Sequence, residues 1–229
     1  MITSEPAAFA HPFVAMRLAP ARRWLAVLRR GVSVLGASVL AACATSSPKV
    51  LTASDLATRA EVQDYLDELR FFHARFTQSG SDGDAEGILW LARPGRLRVE
   101  YVEPRPRLML ANHGRLLVAD QVTGATTTMP VSNTPLDILL GDKVDLSGAV
   151  TVTALQRQPG ALQLSLIKTG APNQGRLTLQ FTTPPLALTG VVVQDAAGHT
   201  NTLRLFGLFR DTTVDPAMFH YHPAAAPAG

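Results

Sequence analysis

The sequence predicts a mainly β, α+β fold: a consecutive antiparallel sheet of about eleven strands, curled or closed. From residue 73 onward, short apolar or alternating runs recur, separated by tight turns such as Ser81–Asp84 and Pro159-Gly160. The sequence lacks the long helical crossovers that parallel strands require. The chain has 229 residues and is 46% hydrophobic, enough for one domain with a substantial core.

An amphipathic helix precedes the sheet. Thr52 or Ser54 can cap it, and apolar residues recur at helical spacing as far as about residue 70. The strands are predicted near residues 73–79, 85–92, 95–102, 106–111, 115–120, 125–129, 150–156, 161–168, 175–182, 186–194 and 199–207.

Two segments interrupt the strand pattern. Residues 133–141 predict a short helix capped by Asn133 or Thr134, with Pro135 at its first position and Gly141 at its end. Residues 215–219 predict one helical turn before a last short strand. The tail, residues 224–229, is predicted to be disordered.

The N-terminal segment is typical of an export signal. In residues 1–42, arginine pairs precede a short apolar run that is followed by small residues. The run ends in Leu40-Ala41-Ala42-Cys43, which resembles a bacterial lipobox, so we expect lipidation of Cys43 and a tether over residues 43–51. An ordinary signal that contains a cysteine is the alternative, and Met16 is an alternative start.

Charge argues against nucleic-acid binding. Residues 1–42 carry five arginines and one glutamate, a net charge of +4, whereas the whole chain carries +3. The remainder therefore carries −1, and no basic footprint for nucleic acid remains after processing.

The sequence also lacks common catalytic signatures. It contains no G-x-S-x-G, H-E-x-x-H or P-loop motif, and its one cysteine lies at the processing site. We therefore predict a protein that is not an enzyme, has no catalytic residues, and needs no cofactor or metal.

Several motifs occur in the order found in the LolA family of periplasmic lipoprotein carriers, which residues 52–223 resemble. An F-x-A-x-F-x-Q run covers Phe72 to Gln78 and precedes Gly87, Leu89 and Arg93-Pro94. Further matches follow at Asn133-Thr134-Pro135-Leu136, Asp195-x-x-Gly198 and Asp215-Pro216-x-x-Phe219.

The resemblance implies an unclosed antiparallel β-barrel, with helices that form a lid over a hydrophobic cavity for acyl chains. It also implies that Arg93 hydrogen-bonds to the lid backbone and holds the empty cavity shut, and a guanidinium with five donors suits that role. Because strand residues alternate between faces, only about half of the strand candidates can line the cavity. These candidates, with four from the lid, are Trp90, Leu97, Val99, Tyr101, Leu108, Leu110, Leu117, Met129, Leu136, Ile138, Leu139 and Leu140.

The implied function is transfer of acylated lipoproteins toward the outer membrane by a monomer, with an inner-membrane lipoprotein-releasing transporter as a possible partner. LolA itself is soluble, whereas Cys43 would attach this chain to a membrane. A membrane-anchored acceptor that resembles LolB, a binder of another acylated lipid or glycolipid, and a structural envelope lipoprotein are the alternatives. Sorting signals that hold lipoproteins in the inner membrane usually have an aspartate after the lipidated cysteine. Here Ala44 follows Cys43, so the resemblance favours anchoring on the periplasmic side of the outer membrane.

Overall fold

The computed structural model describes residues 52–211 and 213–222. The predicted signal peptide (residues 1–42), Cys43 with the tether (43–51) and the tail (224–229) lie outside the described residues. No helix within the described ranges is both long and apolar enough to cross a bilayer.

Helix α1 runs from Ala53 to Glu68, as the sequence predicts. Thr52, rather than Ser54, is the N-cap residue, and it forms a reciprocal capping box with Asp55. The Asp55 amide donates to the Thr52 hydroxyl at 3.2 Å, and the Thr52 amide donates to the Asp55 carboxylate at 2.9 Å. The start of the helix is therefore fixed by its own sequence.

All eleven predicted strands are present in one antiparallel sheet, with the order β6-β5-β4-β3-β2-β1-β11-β10-β9-β8-β7. Strands β6 and β7 are its two edges and do not pair with each other, so the prediction of an unclosed antiparallel sheet is confirmed. The strands are β1 Phe71–Gly80, β2 Ala85–Ala92, β3 Arg96–Glu103, β4 Arg107–Asn112, β5 Arg115–Asp120, β6 Thr126–Pro130, β7 Val150–Gln158, β8 Ala161–Lys168, β9 Arg176–Thr182, β10 Ala187–Gln194 and β11 Thr200–Arg210.

The core lies on the inner face of this curled sheet. Alternate residues of β8 and β9, including Leu164 and Leu179, are fully buried. They belong to the same hydrophobic cluster as Val62 of α1 and Val99 of β3. Both halves of the sheet therefore contribute to one core under α1.

The mid-chain helix is shorter than predicted. Helix α2 covers only Asp137–Leu140, with Leu136 at its N-cap, and a 3-10 turn covers Val131–Asn133. Thr134 does not cap α2, because its hydroxyl donates to the Val131 carbonyl at 2.8 Å and ends the 3-10 turn instead. The residue before a proline also avoids the helical region, and Thr134 is extended.

The C-terminal turn is a 3-10 helix, Pro216–Phe219, whose first turn is capped by Asp215. The short strand predicted after it is absent, because residues 220–222 are not in a strand. The backbone carbonyls just before these residues accept hydrogen bonds from side chains rather than from the backbone amides of a neighbouring strand. Arg98 donates to the Met218 carbonyl at 2.7 Å, and Asn112 donates to that of Phe219 at 3.1 Å.

Candidate functional site

A cavity of about 330 Å³ lies between the inner face of the sheet and the two α-helices. Its walls are mainly leucine, valine and methionine. The apolar lining residues are Leu66, Leu69, Phe72, Leu89, Leu91, Leu97, Val99, Met109, Leu116, Val118, Met129, Pro135, Leu136, Leu139, Leu140, Leu188, Val191, Val193 and Leu203. Such a space fits an apolar ligand.

The structure places most of the sequence-predicted site residues on this cavity. Those that line it are Arg93, Leu97, Val99, Tyr101, Met129, Leu136, Leu139 and Leu140. Ile138 is 5% exposed and belongs to the surrounding core, but it does not line the cavity.

Trp90, Leu108, Leu110 and Leu117 do not line the cavity, which corrects their expected placement. The alternation in β2, β4 and β5 has the opposite phase, so their neighbours, including Met109, line the cavity instead. Leu108 and Leu110 form a separate cluster with Ala119, against which Leu117 and Tyr221 pack. That second cluster explains why both faces of β4 are apolar.

Arg93 is at the end of β2 and is only 3% exposed. Its guanidinium donates through one nitrogen to the carbonyls of Leu66 and Leu69, the latter at 2.7 Å. These carbonyls belong to the last turn of α1 and its C-cap. The Leu66 carbonyl also accepts from the Leu69 amide at 3.2 Å, so Arg93 is a second donor to it. The arginine therefore joins the sheet to the end of α1.

Electrostatics at Arg93 are dominated by burial. Burial lowers the pKa of the guanidinium, while the nearby Asp67 carboxylate raises it. The other two guanidinium nitrogens of Arg93 are buried without a hydrogen-bond acceptor among the described residues. This cation is therefore only partly satisfied in the closed arrangement.

The turn after Arg93 also contacts α2. The Gly95 amide donates to the Leu140 carbonyl at 2.7 Å. On the other side of α2, Lys168 of β8 donates to the Asp137 carboxylate at 3.0 Å and to the Ser132 carbonyl at 2.7 Å. Both helices are therefore tied to the sheet through backbone carbonyls.

The opposite end of the cavity is polar. Gln78 and Tyr101 are both buried there, and the Tyr101 hydroxyl donates to Gln78 Oε1 at 3.1 Å. Burial raises the pKa of the Tyr101 phenol, while Arg107, 4.8 Å above the ring, lowers it. Asp82 and Asn201, whose side chains hydrogen-bond at 2.8 Å, complete this end.

The sequence reasoning missed Gln78 as a site residue, although it ends the F-x-A-x-F-x-Q run. The signal was available, because Gln78 has the same inward phase as Phe72, Ala74 and Phe76. The contributions of α1 and of β10–β11 were also missed, because the sequence does not show which elements pack over the inner face of β2–β5. Among the described residues, no group of three or more His, Cys, Asp or Glu side chains is placed to hold a metal.

Comparison with known proteins gives a consistent family. Residues 67–222 match the family described as "Outer membrane lipoprotein carrier protein LolA". The chain is 30% identical to an outer-membrane lipoprotein carrier protein of Alkalilimnicola ehrlichii over 201 residues, covering 82% of this chain and 90% of that protein. It is 24% identical to the protein of the same name from Methylococcus capsulatus over 177 residues, 73% and 84% of the two chains.

Among solved structures, the chain is similar to a LolA superfamily protein from Nitrosomonas europaea. The two share 11% identity with a TM-score of 0.40, and the match covers 71% of this chain and 97% of that one.

Proposed function

Because this chain belongs to the LolA family of outer membrane lipoprotein carrier proteins, we propose that it binds the acyl chains of lipoproteins in its cavity and transfers them toward the outer membrane. The observation that carries the proposal is an apolar cavity whose covering helix is tied to the sheet by the buried Arg93. The proposed role is not enzymatic, and lipoprotein binding needs no cofactor.

Arg93 is the proposed latch of the lid. When acyl chains enter, α1 moves away from the sheet and the bonds to Leu66 and Leu69 break. The free energy of breaking them is subtracted from the binding free energy, so the ligand is held reversibly. A carrier needs this reversibility, because it must also release what it binds.

Burial of the chains provides affinity but no direction. Each buried CH₂ contributes about 0.8 kcal/mol, and the bilayer offers nearly the same environment. Transfer between membrane and cavity is therefore close to isoenergetic, and net direction comes from small differences in affinity between donor and acceptor. An inner-membrane lipoprotein-releasing transporter is the proposed donor, and the protein acts as a monomer in the periplasm.

A second candidate function is that of a membrane-anchored acceptor of lipoproteins. The lipobox-like sequence ending in Cys43 favours it, because stable anchoring prevents diffusion between membranes. In this version residues 1–42 are removed, residues 43–51 tether the protein to the outer membrane, and residues 52–223 form the binding domain.

Replacing Cys43 tests the anchor. A Cys43→Ser variant should no longer incorporate radiolabelled fatty acid and should move from the membrane fraction to the soluble periplasmic fraction. If wild type itself incorporated no fatty acid and fractionated with the soluble periplasm, and Cys43→Ser did not differ from it, lipidation at Cys43 would be excluded and the soluble carrier would be the candidate.

Native mass spectrometry tests the cargo. The protein is purified without detergent, as its host cell produces it, after incubation with membranes that contain a known lipoprotein. We expect a one-to-one complex whose abundance changes in an Arg93→Leu variant but not in Arg70→Leu, a more exposed arginine close to the same helix end.

If neither the wild type nor the variants retained lipoprotein, the cavity would not be a cargo site. A structural envelope lipoprotein would then be the better account. If another acylated lipid or a glycolipid were retained instead, its mass would identify the ligand class.

A further inference from the structure

Gln78 is a polar residue in an apolar series. The inward-facing residues of β1 before it are Phe72, Ala74 and Phe76, each at most 5% exposed. Gln78 continues their alternation and is also only 5% exposed, so its amide lines the cavity rather than the solvent. A buried amide destabilises the fold unless its groups are hydrogen-bonded.

Only half of this amide is satisfied. Oε1 accepts the hydrogen bond from the Tyr101 hydroxyl at 3.1 Å. Nε2 is buried and has no hydrogen-bond acceptor in the part of the chain that the structure describes. A buried donor without a protein partner is uncommon in folded proteins and calls for a ligand, an ordered water or strain.

The amide is held in position by its surroundings. The Tyr101 ring packs edge-to-face on Phe76, with ring centres 5.3 Å apart, and the Arg107 guanidinium lies over it. Because the phenol donates to Oε1, the NH₂ group is the part of the amide left to meet a ligand. The donor is therefore preorganised rather than free to turn toward solvent.

Gln78 and Arg93 lie at opposite ends of the cavity. On β1, Gln78 is six residues beyond Phe72, which pairs with Leu91 beside Arg93, and six strand residues span roughly 20 Å. The lining around Gln78 includes Asp82 and Asn201, whereas the lining around Arg93 includes Leu66, Leu69 and Leu140. The side chains around Arg93 are apolar, although its own guanidinium is buried among them, whereas the Gln78 end gathers several polar side chains suited to a polar head.

We infer that Gln78 Nε2 donates a hydrogen bond to the carbonyl oxygen that joins an acyl chain to its head group. This inference rests on the proposed function and adds an orientation to it. The ester or amide carbonyl lies at Gln78, the head group leaves past Asp82 and Asn201, and the methyl end lies under α1. The carbonyl is the group of a fatty acyl chain that can accept this bond, so the site selects acyl over alkyl chains.

A pair of lipids that differ in one group tests this directly. 1-Monopalmitoylglycerol and 1-O-hexadecylglycerol have chains of equal length, but the second has a methylene in place of the carbonyl. Dissociation constants for both are measured by displacement of a fluorescent fatty acid. Binding is measured for wild type, for Gln78→Leu and for Gln163→Leu, a control that makes the same change at an exposed glutamine of β8 outside the cavity lining.

We expect the ratio of ether to ester dissociation constants to be about two- to tenfold higher for wild type than for Gln78→Leu, the range for one neutral hydrogen bond. Gln163→Leu should keep the wild-type ratio. Using a ratio cancels the different partition of the two lipids out of water. Circular dichroism melting confirms that each variant is folded. The wild-type ratio is measured without any variant, so it stands even if a variant fails to fold.

Equal ratios in wild type and Gln78→Leu, or a shift of equal size in Gln163→Leu, would overturn the inference and leave the proposed function standing. Failure of wild type to bind either lipid would overturn both. A further displacement experiment distinguishes lipoprotein from phospholipid as the molecule that supplies the acyl carbonyl. A triacylated cysteinyl peptide should displace monopalmitoylglycerol at lower concentration than a diacyl phospholipid does, and the reverse order would assign the carbonyl site to phospholipid.

Discussion

Two buried polar side chains stand out in the cavity, and they lie at its opposite ends. Arg93 is 3% exposed and donates to the carbonyls that end α1, whereas Gln78 is 5% exposed and retains a free donor. In the proposed function, Arg93 makes its bonds in the empty protein and loses them when ligand enters. Gln78 instead gains a hydrogen bond when ligand enters. Arg93 therefore stabilises the empty protein, and Gln78 stabilises the ligand-bound protein.

Replacing Arg93 should strengthen ligand binding. Arg93→Leu removes the hydrogen bonds to Leu66 and Leu69, together with a partly satisfied buried cation. Opening the lid then no longer costs the free energy of breaking those bonds. Hydrogen bonds to charged groups contribute about 1.5–3 kcal/mol, so we expect the affinity for a fluorescent fatty acid to rise roughly tenfold or more. Fluorescence titration measures the affinity.

Hydrogen exchange provides the second readout. Amides in the last turn of α1 should exchange faster in Arg93→Leu than in wild type. Arg70→Leu, which breaks an exposed ion pair with Asp142 at 2.6 Å, should change neither affinity nor exchange by much. Weaker binding in Arg93→Leu with normal exchange would contradict the latch.

At the level of single residues, the sequence was sufficient where the residue had only one plausible environment. A charge at the end of an apolar strand needs a partner, and Arg93 has one. It failed for Leu108, Leu110 and Leu117, because both phases of β4 and β5 are apolar and a second cluster occupies the other face. Alternation cannot assign a face when both faces are buried.

Helix α1 is attached to the sheet at both ends by an arginine, and the two attachments differ. At its start, Arg157 of β7 donates to the Asp55 carboxylate at 2.7 Å, to the Ser54 carbonyl at 2.8 Å and to the Thr58 hydroxyl at 2.8 Å. At its end, Arg93 supplies the bonds that the proposed opening breaks. In the proposed function, the start is therefore the fixed point about which the end of α1 moves.

The fixed start should be sensitive to acid. Hydrogen bonds from the Thr52 amide, and then from Arg157, lower the pKa of Asp55 from 3.8 to about 2. The native state thus holds fewer protons than the unfolded state between these values. The stability that Asp55 contributes is complete above about pH 4, and it is lost as the pH falls toward 2.

We therefore expect Asp55→Asn to lower the free energy of unfolding at pH 5 and to lose less of it between pH 5 and pH 3 than wild type does. Urea unfolding at both pH values measures this. Asp64→Asn, an exposed change on the same helix, should keep the wild-type dependence on pH. The same slope for Asp55→Asn and wild type would show that the capping box does not titrate in this range.

Across the whole domain, packing and binding are separated along the sheet. Leu164, Leu166, Leu177 and Leu179 on β8 and β9 have no exposed surface, whereas the inner residues of β3, β4 and β5 face the cavity. Strands β8 and β9 therefore carry a dense core. Strands β3 to β5, together with residues of β10 and β11, leave space for a ligand.

This division predicts different costs for the same substitution. Leu164→Ala should lower the free energy of unfolding by about 2–5 kcal/mol, the range for a filled core. Leu97→Ala should cost less, at or below the lower end of that range, because Leu97 already borders open space. Chemical denaturation measures both, and equal losses would mean that the two sets of strands are packed equally.

The sequence by itself determined the strands, the start of α1 and the need for a partner at Arg93. These features depend on local periodicity, on capping chemistry and on the cost of an isolated buried charge, which all act within a few residues. Only the tertiary structure decided which face of β4 and β5 lines the cavity, that Thr134 binds Val131 instead of capping α2, and that Gln78 keeps a free donor. Each of these depends on a competing partner that is distant in sequence or offers an equally good contact, so local pattern could not choose between them.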